Sequence, residues 1–134
     1  MNRTVRPSAK ARDFGSTADL HIVSNLLEIY SSMSAKLDRH AEQLAALGSP
    51  VRLSILRYVV QGDEAGTPAG EIQAKLDIPA STLSHHLERL SAAGLLASRR
   101  EGTFIYYRAE YTALRALTDY LWEDCCKRGK GECC

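Results

Sequence analysis

The residues most able to do chemistry are four cysteines, and all of them fall in the last ten positions: Cys125, Cys126, Cys133 and Cys134, within DCCKRGKGECC. Adjacent cysteines bridge one another poorly, because a trans peptide holds their Cα atoms about 3.8 Å apart, short of the usual disulfide range. Either pair is better suited to holding a soft ion. Gly129 and Gly131 let the chain fold back and bring Cys133 or Cys134 toward the first pair. Three thiolates on one atom suit As(III) or Sb(III), which bind as three-coordinate pyramids, whereas tetrahedral zinc, cadmium or lead can take all four. A disulfide joining Cys125 or Cys126 to a tail cysteine is the redox alternative. Lys127, Arg128 and Lys130 favour thiolates here, while a helix C-terminus opposes them.

A second group of residues points to nucleic acid. In AGEIQAKLDIPASTLSHHLERLSAAGLL, Ile72 and Leu76 mark one short helix, and Leu83, Leu87 and Leu90 mark another. Pro79 removes a backbone donor and biases Ile78 away from the helical region, so the second helix must start in a new direction. This is a helix-turn-helix over residues 69–93. With its leucines buried, the second helix shows Ser81, Thr82, Ser84, His85 and Arg89, short hydrogen-bonding side chains and a cation suited to base edges and phosphates in a major groove. His86 borders the leucine face and reads as packed rather than as a metal ligand.

The remaining elements position these two groups. Residues 1–17 are polar and basic and are expected to be mobile. A helix is expected over residues 19–31, weakened at Ser31 and Ser32, so residues 1–32 read as an appended arm and residues 33–127 as the working domain. Ser49 and Pro50 restart the chain as a cap and a first helical residue, opening a central helix that buries Val51, Ile55, Leu56, Val59 and Val60. Residues 62–68 read as an acidic loop without the glycine pattern or lysine of a phosphate loop. Two extended runs around Glu101-Gly102 predict a β-hairpin over residues 95–108, with Arg99, Arg100 and Arg108 on or beside it. A helix-turn-helix followed at once by a hairpin is a winged helix. The spacing of Tyr111, Leu114, Leu117 and Leu121 predicts a closing helix over residues 111–127 that packs on its copy, leaving residues 128–134 as the cysteine tail. The fold expected is mostly α with a small β-hairpin, dimeric through its terminal helices.

The 134 residues fit one domain, and a formal net charge of +1 excludes a protein held on DNA by bulk charge. A local basic patch doubled in a dimer must serve instead, with half-sites about 34–36 Å apart. No apolar run reaches bilayer length and no signal core opens the chain, so a cytoplasmic protein with no membrane partner is expected, and its cysteines read as ligands or redox thiols. Ser84-His85 is the only nucleophile-like pair, and neighbours on a helix point different ways, so an enzyme is not expected.

The runs LGSPVRLSIL at 47–56, STLSHHLERLSAAGLL at 81–96 and REGTFIYYR at 100–108, in this order, resemble the ArsR/SmtB family of metal-responsive repressors over about three quarters of the chain. The resemblance implies a homodimer that sits on operator DNA and leaves when an inducer binds. Two common family sites are missing: no cysteine lies in residues 70–76, and no histidine follows His86. Some arsenite-responsive members resemble this chain in having a cysteine pair at the end of the closing helix and a third cysteine beyond. That likeness implies Cys125 and Cys126 as ligands, with Cys133 or Cys134 as the third. The function expected is therefore a repressor released by As(III) or Sb(III), with no required cofactor. The alternatives are a repressor of the same fold sensing Zn, Cd, Pb or thiol oxidation, and a winged-helix metal carrier that meets protein instead of DNA.

Overall fold

A computed structural model describes residues 17–129. The expected mobility of residues 1–17 therefore falls almost wholly outside the described residues, as do Lys130, Cys133 and Cys134. The elements are α1 (Thr17–Leu47), α2 (Pro50–Val60), β1 (Thr67–Pro68), α3 (Ala69–Leu76), α4 (Ala80–Ala92), β2 (Leu96–Glu101), β3 (Phe104–Ala109) and α5 (Tyr111–Trp122).

The chain divides into two compact units, Met1–Ala35 and Lys36–Cys134. The expected break at Ser31-Ser32 does not occur, and α1 runs straight through it. Serine costs a helix only about half a kcal/mol per residue, too little to stop a helix that is apolar on both sides. At 100° per residue, the apolar side chains from Leu20 to Met33 fill half the circumference of α1, and all of them are exposed.

The second unit holds the core. α2 contributes Ile55, Leu56 and Val59, α3 contributes Ile72, and α4 contributes Leu83, Leu87 and Leu90. Leu95, Leu96 and Ala109 close it from the sheet. Val51 and Val60, expected inside, are each 37% exposed, because they flank rather than face this cluster. Ser49 does occupy the N-cap of α2 with Pro50 at the start, but its side chain makes no capping bond. Arg52 instead satisfies the end of α1: its guanidinium donates to the Ala46 carbonyl oxygen, one of those a helix C-terminus leaves without an intrahelical partner, and to the Ala45 carbonyl oxygen, which also accepts from the Gly48 N–H.

Between α3 and α4, Asp77 takes a left-handed conformation at φ 49°, one that aspartate tolerates better than most residues, and Pro79 then caps α4. The sheet has three strands in the order β1-β3-β2, all antiparallel. The third is a correction: Thr67–Pro68, read as loop, pairs with Tyr107 and Tyr106. Two residues are too short a run for strand periodicity to register.

Candidate nucleic-acid interface and cysteine centre

Ser81, Thr82, Ser84 and His85 stand together, exposed, on the first turns of α4. No side chain caps this end, so the first backbone N–H groups stay open beside two hydroxyls, a surface that accepts phosphate or base edges. The Ser84 hydroxyl donates to the Ala80 carbonyl oxygen at 3.0 Å, leaving its oxygen as an acceptor outward. His85 is exposed, whereas His86 is partly buried and its Nδ1 is sequestered without a partner. Loss of solvation, followed by the nearby charges of Arg52 and His85, holds the His86 ring below the usual imidazole range. Arg89 lies on the same outward side, about 6 Å beyond His85 and about 12 Å beyond Ser81 along the axis. There it lines a cavity of about 380 Å³ with Glu42 and Arg52.

The hairpin alternates strictly. Leu96 and Ala109 pair on the side that packs on the core, and Arg100 with Ile105 share it near the tip. On the other side Arg99 pairs with Tyr106, lies over its ring at 5.4 Å and ion-pairs with Glu101. Arg99 is therefore partly committed to holding the wing, while Arg100 is exposed and its side chain makes no hydrogen bond or ion pair among the described residues. Arg108 stands 3.9 Å from Glu110. Two residues escaped the sequence reading. Arg52 has no local signal, because its partners are carbonyls of another helix. Phe104, 62% exposed at the wing tip, was legible from period two, since it shares parity with the outward Tyr106 rather than with Ile105.

At the other end, α5 stops at Trp122, not at residue 127. Glu123 leaves the helix with ψ 131°, and it and Asp124 carry the wrong charge for a helix C-terminus that has no basic residue in its last turn. Cys125 and Cys126 thus sit in tight turns beyond the helix, with Asp124 and Cys126 both at positive φ. Their Sγ atoms are 3.4 Å apart. Cys125 is an exposed free thiol, and Cys126 is disulfide-bonded. Lys127 donates to Asp124 at 2.8 Å, so its charge is offset at the carboxylate instead of being directed wholly at sulfur. Among the described residues no group of three or more His, Cys, Asp or Glu side chains is placed to hold a metal.

The expected leucine stripe on α5 needs correcting. Leu117 is 4% exposed within its own chain and Leu114 packs on the core, which leaves Leu121 and Trp122 outward. α5 is tied to the last three turns of α1. The buried His40 stacks on Tyr120 with centroids 4.5 Å apart and donates from Nδ1 to Gln43 Oε1, and Lys36 pairs with Glu123 at 2.7 Å.

A helix-turn-helix backed by a paired hairpin and framed by helices defines a winged-helix DNA-binding protein. A helix-turn-helix domain family matches residues 47–99. The chain is 38% identical over 87 residues to the biofilm growth-associated repressor of Agrobacterium fabrum, covering 64% of this chain and 72% of that protein. Among solved structures, an ArsR-like transcriptional regulator from Rhodococcus sp. RHA1 superposes with a TM-score of 0.62 at 26% identity, over 70% of this chain and 86% of that one. A homodimeric winged helix-turn-helix DNA-binding domain from Mycobacterium bovis gives 0.56 at 29% identity, over 75% and 93%. The chain belongs to the ArsR/SmtB family of DNA-binding transcriptional repressors. No helix among the described residues is long and apolar enough to cross a membrane.

Proposed function

We propose that the protein is a homodimeric repressor that holds operator DNA through the start of α4 and the wing, and that trivalent arsenic bound by cysteine thiolates releases it. The observation that carries the inducer is the 3.4 Å spacing of the Cys125 and Cys126 sulfurs. That spacing lets both sulfurs, once Cys126 is reduced, reach one soft ion at a bond of about 2.3 Å. A vicinal pair with one further tail cysteine makes three sulfurs, the set that a three-coordinate As(III) pyramid takes. With Cys126 reduced, three thiols and As(OH)3 give an As–S3 centre and three waters, and no oxidant is consumed. Cys133 or Cys134 supplies the third sulfur. Antimonite fits by the same chemistry.

The dimer reading rests on the half-apolar face of α1 and on Leu121 and Trp122, apolar surface that one copy leaves uncovered. Coupling follows from position. The cysteine pair begins two residues beyond Glu123, whose carboxylate holds Lys36 on α1, so pinning the tail acts on the α1–α5 contact. A coupling of about 1–3 kcal/mol between the two arrangements suffices to shift the dimer off DNA.

The disulfide at Cys126 favours one further reading, a thiol switch. Two thiols would pass two electrons and two protons to hydrogen peroxide, forming the protein disulfide and two waters, or to a small disulfide, forming the protein disulfide and two free thiols. One experiment separates the two. Full-length reduced protein on the duplex upstream of its own gene is titrated, in fluorescence anisotropy, with arsenite, antimonite, zinc, cadmium and hydrogen peroxide. Release by micromolar arsenite under reducing conditions supports the arsenic reading. Release by peroxide alone supports the switch, and retention with all five probes defeats both.

A further inference from the structure

Phe104 is the feature of the winged-helix body that folding does not explain. It opens β3 directly after the Gly102-Thr103 turn, pairs with Glu101, and faces away from the core. Its neighbour on the same side, Tyr106, is covered by the Arg99 guanidinium, and Glu101 turns to that same Arg99. The Phe104 ring is left bare at 62% exposure, more than Val51, Leu53 or Val60 elsewhere in this body. A polar residue at a hairpin tip would fold as well and solvate better.

The surroundings commit the ring to one partner. Arg99 and Arg100 precede Glu101, which closes β2, and Arg108 lies further along β3; Glu101 and Glu110 offset two of these charges, and Arg100 leaves the hairpin with a net positive charge, complementary to a polyanion. The hairpin follows α4 by only a short turn, so a duplex that takes α4 in its major groove presents the adjoining minor groove to the wing. Apolar side chains at such points wedge against or between base steps, while flanking arginines favour a narrow, electronegative groove. We infer that Phe104 is a minor-groove wedge that contacts the edge of a base step beside each half-site, with Arg100 holding the flanking phosphate.

This rests on the reading of α4 and the wing as an operator-binding surface, and the test keeps the two apart. Wild type, Phe104→Ala, Phe104→Leu and Arg100→Ala are compared as full chains on the upstream duplex over a range of salt. A fluorescent adenine analogue is placed in the step adjoining the half-site. Phe104→Ala should weaken binding about tenfold and abolish the analogue's unstacking signal without altering the salt slope, since no counterion is involved. Phe104→Leu should retain most of both, and light scattering should show the oligomeric state unchanged. Wild-type affinity and signal in Phe104→Ala overturn the wedge and leave DNA binding standing. A loss of affinity that comes with a changed oligomeric state also overturns it, because the ring is then a subunit contact. A wild type without salt-dependent binding fails the operator reading itself.

Discussion

The guanidinium of Arg99 donates to the Ala65 carbonyl oxygen at 3.1 Å, tying the wing to the loop ahead of β1. The same side chain lies over Tyr106 and pairs with Glu101, so it is spent on geometry, whereas its neighbour Arg100 is not. Arg100→Ala should lower the slope of log affinity against log salt by about 0.9 per half-site, the signature of one lost phosphate contact. Arg99→Ala should change that slope less and instead raise hydrogen exchange across β2 and β3. Anisotropy over a salt series, with exchange on the free proteins, checks both.

The cysteine pair predicts a clean separation of functions. Cys125 and Cys126 follow α5 and belong to neither α4 nor the wing, so Cys125→Ser and Cys126→Ser should bind the upstream duplex as wild type does and stay bound when arsenite is added. Trp122, 62% exposed and three residues before Cys125, supplies an internal probe. Its emission should change with arsenite in the wild type and stay fixed in both variants. A variant released at wild-type arsenite concentrations would remove the proposed centre.

His86 makes stability depend on pH with a defined sign. Its folded-state pKa is lowered, chiefly by loss of solvation, so the native chain favours the neutral ring and the unfolded chain takes up the proton first on acidification. The stability it contributes is present above the ordinary imidazole value of about 6.5 and is lost as pH falls through the lower folded value. Urea midpoints measured at about pH 7.5 and about pH 5.5 should fall on acidification, and His86→Asn should flatten this part of the response.

The parts legible in the sequence are those set by short-range pattern. Pro79 and the leucines at 83, 87 and 90 fix α4, and Glu101-Gly102 fixes the hairpin, because each signal lies within the element it makes. What escaped depends on distant partners. Thr67–Pro68 becomes a strand only because Tyr106 and Tyr107 lie beside it. Leu117 reads as an outward leucine until the chain folds over it. The cysteine pair was legible as chemistry but not as placement, since the end of α5 turns on the unfavourable charge of Glu123 and Asp124 against the helix dipole.

That burial of Leu117 changes how dimerisation must be tested. Leu117→Glu would force a charge into a site that is 4% exposed, so any loss of dimer would follow from unfolding. Even Leu117→Ala should cost about 2–5 kcal/mol of stability, read as a lowered urea midpoint. Leu121, at 57% exposure on the outward side of the same helix, carries no such burden within one copy. Leu121→Glu should therefore keep the wild-type circular dichroism and thermal midpoint at low protein concentration, while equilibrium sedimentation shifts from dimer to monomer. Operator affinity should fall with it, because one copy then brings a single recognition helix to a two-half-site duplex. A Leu121→Glu protein that sediments as an unchanged dimer would remove α5 from the subunit contact and leave it to the exposed apolar half of α1.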